Sequence, residues 1–145
     1  MQTTSAAPPL APRLRLAVTR TARRLRQEAG GGLSPSLNAA LATVARHGPL
    51  TPSELAARER IQRPTATRLI ARLEEKSLVA RTADPADGRS CLIALSDEGS
   101  ALVAELRTRK DLFLAERLRG LPAADRATLA RAAELLEQLL EGEPA

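Results

Sequence analysis

The 145-residue sequence predicts a mostly α chain with one small β-hairpin, on three observations. Its apolar content is almost wholly Ala, Leu and Val, with no Trp or Tyr and Phe113 as the only aromatic, and Ala and Leu are strong helix formers. Caps, prolines and glycines cut most of the chain into segments whose apolar residues recur at helical spacing. Only the stretch from Val79 to Leu95 departs from that period, with two short runs around an Asp/Gly-rich turn.

Residues 1–9 read as a frayed, proline-containing tail. A first helix is expected from about Ala11 to Ala29, with Leu14, Val18, Thr21, Ala22 and Leu25 on one face and Arg13, Arg20 and Arg24 on others. Gly30-Gly31-Gly32 ends it, because glycine supplies the left-handed backbone of a helix stop. Ser34-Pro35 is an N-cap followed by proline at the first helical position. The second helix carries Leu37, Leu41, Val44 and Ala45 on one face and ends near His47-Gly48-Pro49. Thr51-Pro52-Ser53-Glu54 is a capping box that opens a short third helix with Leu55 and Ala56 inward.

After the turn Arg60-Ile61-Gln62, a fourth helix starts at about Arg63. Ala66, Leu69, Ile70 and Leu73 fall at i, i+3, i+4 and i+7, a buried stripe, and the opposite face presents Thr65, Arg68 and Arg72. Strands Val79–Thr82 and Ser90–Leu95 follow, joined by Ala83–Arg89. Ser96 then caps a fifth helix, with Asp97 and Glu98 in the first turn where the helix dipole favours negative charge. Leu102, Val103, Leu106 and Phe113 form its apolar side, and Gly120 closes it. Pro122 opens a sixth helix striped by Leu129, Ala132, Ala133, Leu136, Leu139 and Leu140 and widened by Leu135, with Gly142 and Pro144 marking its end.

Two short helices joined by a tight turn are the helix-turn-helix pattern, and the hairpin with Arg89 at its tip is a wing beside it. The shape suits DNA: a basic helix enters the major groove and a basic-tipped hairpin reaches a minor groove. Charge placement agrees. The formal net charge of +5 divides into +5 over residues 1–57, +3 over 58–89 and −3 over 97–145. A positive field on the first two thirds steers a protein toward a polyanion, although solvated arginine faces give the same composition.

Arg68 is the leading candidate for DNA contact, since guanidinium bonds guanine O6/N7 bidentately or pairs with phosphate. Thr65 and Thr67 suit thymine methyls or phosphates near the helix start, with an inward-facing Thr67 as the alternative. Gln62 either reads adenine or caps the helix. Arg63 and Arg72 suit phosphates, the alternative for Arg72 being a pair with Asp87 or Glu75. Arg89 suits a narrow minor groove, where negative potential is enhanced. Asp87 cannot face phosphate and is assigned to orienting an arginine and fixing the turn. Ser34 and Ser36 are placed to donate to phosphate, capping being an equal account of Ser34, and Arg81 assists from the strand.

The first, fifth and sixth helices carry more apolar surface than a compact winged helix can bury alone, so a second copy is expected against them. Leu14, Val18, Phe113, Leu129, Leu136, Leu139 and Leu140 are the expected dimerisation residues. Such dimers read half-sites roughly 34–36 Å apart. The division expected is a tail over 1–9, a dimerisation helix over 10–32, a winged helix-turn-helix over 33–95 and two further dimerisation helices over 96–141.

No nucleophile–base–acid set, phosphate-cradling glycine loop or metal-ligand cluster is evident, so an enzyme, a cofactor and a metal are not expected. His47, the only histidine, fits capping of a helix C-terminus. Cys91, the only cysteine, reads as a buried inert thiol and allows no internal disulfide, which fits a reducing cytosol. Neither a signal peptide nor an apolar run of about 20 residues is present, so a cytoplasmic protein without membrane association is expected. A winged-helix module working only through protein contacts is the competing reading.

Several pieces in order resemble the MarR (multiple antibiotic resistance regulator) family over about residues 10–140. They are Leu55-Ala56, the run Pro64-Thr65-Ala66-Thr67-Arg68-Leu69-Ile70, and Leu73-Glu74-Glu75-Lys76-Ser77-Leu78-Val79. Asp84-Pro85-Ala86-Asp87-Gly88-Arg89 followed by Leu95-Ser96-Asp97-Glu98-Gly99 is similar to the family's wing signature, Asp-x-Arg and then Leu-Thr-x-x-Gly. Ser77 stands where the family usually has glycine, and Ser96 where it has threonine. The resemblance implies a homodimeric regulator of transcription, commonly a repressor, on a palindromic operator in double-stranded DNA. Many members release DNA on binding small phenolic or amphipathic effectors between the dimerisation helices and the DNA-binding lobe. Others sense oxidants through a cysteine near the first helix, a place Cys91 does not occupy. A pocket without Tyr or Trp is expected to be aliphatic and arginine-edged, which suits a small aromatic acid.

Overall fold

A computed structural model describes residues 6–141. Helices α1 (Leu10–Ala29), α2 (Pro35–His47), α3 (Pro52–Glu59) and α4 (Arg63–Glu75) precede strands β1 (Val79–Ala83) and β2 (Cys91–Leu95), and α5 (Asp97–Arg119) and α6 (Ala123–Leu140) follow. The expected tail lies partly outside the described residues, at 1–5, and Gly142 and Pro144 lie wholly outside them.

The predicted local signals take their expected forms. Ser34 Oγ accepts from Leu37 N–H (3.3 Å). Thr51 and Glu54 make both bonds of the capping box, at 3.1 and 3.0 Å. Gly30, Gly31 and Gly32 all have positive φ, and Arg109 Nη1 donates to Ala29 O (2.7 Å), covering the end of α1. Gly120 differs: its φ of −75° is right-handed, so α5 ends without using glycine's freedom.

One core holds the winged helix together. Leu37, Leu41 and Val44 of α2, Leu55 of α3, and Ile70 and Leu73 of α4 close on Ile93 of β2 and on Leu50. Burying each such side chain contributes about 1.5–3 kcal/mol. Thr43 also donates to Glu59 and ties α2 to α3.

β1 and β2 pair antiparallel, with Val79 opposite Leu95 and Ala83 opposite Cys91. Leu50 adds a bridge that the sequence does not announce: Leu50 N–H donates to Ile93 O (3.0 Å) and Ile93 N–H to Leu50 O (2.7 Å). It fastens the chain between α2 and α3 to the base of the wing.

α1 lies along α5, but α6 has no buried residue of its own. The large hydrophobic residues left exposed fall on α1 (Leu10, Leu16, Val18), α5 (Leu112) and α6 (Leu129, Leu135, Leu139, Leu140). Of the other expected dimerisation residues, Leu14, Phe113 and Leu136 are half-buried. Arg24 and Arg117 stack on the Phe113 ring at 5.6 and 5.0 Å from its centroid.

Candidate nucleic-acid interface

α4 divides by face. Ala66, Ile70 and Leu73 are buried, whereas Arg63, Thr67, Arg68 and Arg72 are exposed. Gln62 precedes the helix, exposed and without a side-chain capping bond, so its amide is not occupied as a cap. Arg68 Nη2 lies 3.4 Å from Thr65 Oγ1, a contact between neighbours on one helical face. Thr67 faces solvent rather than the interior, and its hydroxyl donates to Arg63 O (3.1 Å). That bond occupies its proton, leaving the methyl and the oxygen lone pairs. Arg72 forms none of the pairs considered for it among the described residues. Ser36 is exposed on the first turn of α2, beside the capping Ser34.

The wing turn is organised by its two aspartates. Asp84 Oδ1 accepts from Ala86 N–H (2.9 Å), and Asp87 Oδ1 accepts from Arg89 N–H (3.0 Å). Ser90 N–H also reaches Asp87 O (3.0 Å). The assignment of Asp87 is therefore corrected in part. It fixes the turn through backbone, and the Arg89 guanidinium carries no ion pair among the described residues.

Arg81 lies exposed on β1, on the strand as expected, and is paired there with an acidic residue. Its Nε donates to Glu74 Oε1 at 2.5 Å, and Nη1 lies 3.8 Å from Cys91 Sγ. The hydrogen bond and charge of Glu74 hold this guanidinium above its ordinary pKa, so it stays a cation. Glu74 links α4 to β1 across a helix-to-strand step, and no local periodicity marks such a pair. Cys91 is half-buried beside these charges, which corrects the expectation of a buried thiol. His47 makes no side-chain capping bond among the described residues, and the end of α2 is instead met by Gly48 N–H on Val44 O (2.8 Å).

Two cavities bear on function. One of about 200 Å³ lies between α4 and the wing and is lined by Arg63, Thr67, Arg81, Arg89, Ser90 and Cys91 above Pro52 and Ile70. The other, about 550 Å³, lies between α1, α2 and α5. Leu25, Leu41, Val103 and Leu106 line it together with Arg26, Arg46, Arg107 and Lys110, and no acidic or aromatic residue does.

A helix-turn-helix with an arginine face, a basic wing beside it and flanking helices with exposed leucines define a winged helix-turn-helix regulator of transcription. The MarR family model matches residues 33–91. The chain is 40% identical to the HTH-type transcriptional regulator MT0903.1 of Mycobacterium tuberculosis over 136 residues, 93% of this chain and 95% of that one. It is 31% identical to the HTH-type transcriptional repressor MdtR of Bacillus subtilis, covering 76% of this chain and 71% of MdtR. A crystal structure from Pseudomonas aeruginosa PA01, of a protein provisionally described as a transcriptional regulator, superposes with a TM-score of 0.82 at 36% identity over 92% of this chain and 95% of that one. The chain belongs to the MarR family of helix-turn-helix transcriptional regulators. These are DNA-binding proteins and not enzymes.

Proposed function

We propose that the chain is a homodimeric repressor that places α4 in the major groove and the wing in an adjacent minor groove of a palindromic operator. The observation that carries this reading is the division of α4. Its buried face anchors the helix in the core, while Arg63, Arg68 and Arg72 stand exposed without an acidic partner among the described residues. A solvated charged face would be expected to alternate in sign, and this one does not. Arg68, with Thr65 and Gln62, is assigned to base edges. Ser34, Ser36, Arg63 and Arg72 are assigned to phosphates and Arg89 to the minor groove, with Thr67 contributing a methyl contact.

The dimer is supported by the exposed leucines of α1, α5 and α6, which one copy leaves in water. Repression is supported by the likeness to MdtR, a repressor by name. The cavity between α1, α2 and α5 suits a small amphipathic anion, with an aliphatic lining for its body and four cations for its charge. It adjoins α2, so an occupant there acts on the element that carries Ser34 and Ser36. The working compartment of such a regulator is the cytoplasm.

Hydroxyl-radical footprinting on DNA upstream of the protein's own gene tests the reading. Two protected half-sites with centres about 10–10.5 base pairs apart, or a multiple of that, are expected. A single half-site, or diffuse protection unrelated to sequence, would overturn it.

A further inference from the structure

We infer that the cavity between α4 and the wing is a socket for one DNA backbone phosphate, clasped jointly by Arg63 and Arg81. This rests on the DNA-binding reading above and joins Arg81 of β1 to Arg63 of α4 at one phosphate.

The cavity holds about 200 Å³, several water volumes and enough for one tetrahedral oxyanion with its nearest waters. Arg63 and Arg81 both line it, one from the start of α4 and one from β1, together with Ser90 of the wing. No acidic residue is among its lining. Glu74 lies behind, on Arg81 Nε, and fixes the guanidinium by one edge. With one Nη1 proton directed at Cys91 Sγ, three of the five guanidinium N–H groups are left for a ligand. Glu74 thus does for Arg81 what a preorganised site requires: the side chain is held in place before the anion arrives, and less rotamer entropy is lost on binding. A socket here lies between the helix assigned to the major groove and the wing assigned to the minor groove. That is where the phosphate backbone separating two grooves runs. Arg89 also lines the cavity and remains assigned to the minor groove.

Counting phosphates tests this. The slope of log Kobs against log[salt] falls by about 0.9 for each phosphate no longer neutralised. Fluorescence anisotropy with a short mixed-sequence duplex is measured across a sodium chloride series. The proteins are wild type, Arg63→Gln, Glu74→Gln/Arg81→Gln, and the triple combination. Glu74 is changed with Arg81 so that no bare carboxylate is left facing the duplex and net charge is kept. If one phosphate is shared, each partial variant still neutralises it. Affinity then falls while the slope changes by less than about 0.9, and the triple variant, altered in both protomers of the dimer, loses about 1.8 in all. A triple variant that loses about 3.6, two phosphates in each protomer, places the arginines on separate phosphates and overturns the socket. An unchanged slope in the triple variant, with wild type binding normally, also overturns it. Failure of wild type to bind duplex DNA even at low salt would instead defeat the DNA-binding reading itself. Matching far-UV circular dichroism and melting temperatures keep the comparison among folded proteins.

Discussion

Ser77 sits in the left-handed region at φ +59°, where a side chain costs about 1–2 kcal/mol and glycine costs little. Its carbonyl is held there by Ser96 Oγ at 2.6 Å. The family's usual glycine at this place thus has a physical reason, and this chain tolerates the strain. Ser77→Gly is expected to raise stability by about 0.5–1 kcal/mol, the relief being partly offset by glycine's freedom in the unfolded chain. An upward shift in the urea midpoint with unchanged slope checks this. Gly99 is the converse case. A Cβ there would lie 1.9 Å from Leu78 O, so the start of α5 approaches the β1 entry as only glycine allows. Gly99→Ala is expected to cost about 1–3 kcal/mol, measured in the same way. At the wing tip, Arg89→Ala is expected to weaken operator binding about tenfold while the dimer mass stays unchanged. Light scattering beside an anisotropy titration separates the two effects.

Among the elements, those specified by neighbouring residues were legible and those specified across space were not. Ser96 illustrates the first kind. Its hydroxyl accepts from Gly99 N–H (3.0 Å) and donates to Ser77 O, so one side chain caps α5 and holds the turn after α4. Ser96→Ala is expected to cost about 1–2 kcal/mol and Ser96→Thr to cost little, because threonine keeps the oxygen. Thermal denaturation of the two variants side by side distinguishes loss of the hydroxyl from added bulk. The capping box at Thr51, the stripe of α4 and the glycine stop after α1 were readable for the same reason, since each is written within a few residues. The Leu50–Ile93 bridge and the Glu74–Arg81 pair join residues that only the folded chain brings together, and neither carries a periodic signal. The sequence accordingly places Arg81 on the strand without showing its partner Glu74, and it does not show that Cys91 is only half-buried. The sequence marks Asp87 as a turn residue, but it does not say whether a carboxylate will take a guanidinium or a backbone N–H.

For the whole molecule, the distribution of exposed leucine argues most strongly for a second copy. Leu139 and Leu140 of α6 are 69% and 71% exposed, and no residue of α6 is fully buried within its own chain. The amphipathic stripes of α1, α5 and α6 were visible in the sequence, while the fact that α6 stands apart from its own core was not, because a stripe does not name its partner. Leu136→Arg is expected to abolish the dimer by placing a charge in that stripe, leaving the winged-helix core intact. Sedimentation velocity showing an unchanged dimer in this variant would contradict the assignment of α6. The central claim is that the arginine face and the wing read a particular DNA sequence. Fluorescence anisotropy with the DNA upstream of the protein's own gene, against a scrambled duplex across a salt series, tests it most directly. Preference for the native sequence that persists at physiological salt, with affinity falling steeply as salt rises, is the expected result. Equal and weak binding to both duplexes would contradict it and leave the winged helix to a protein partner.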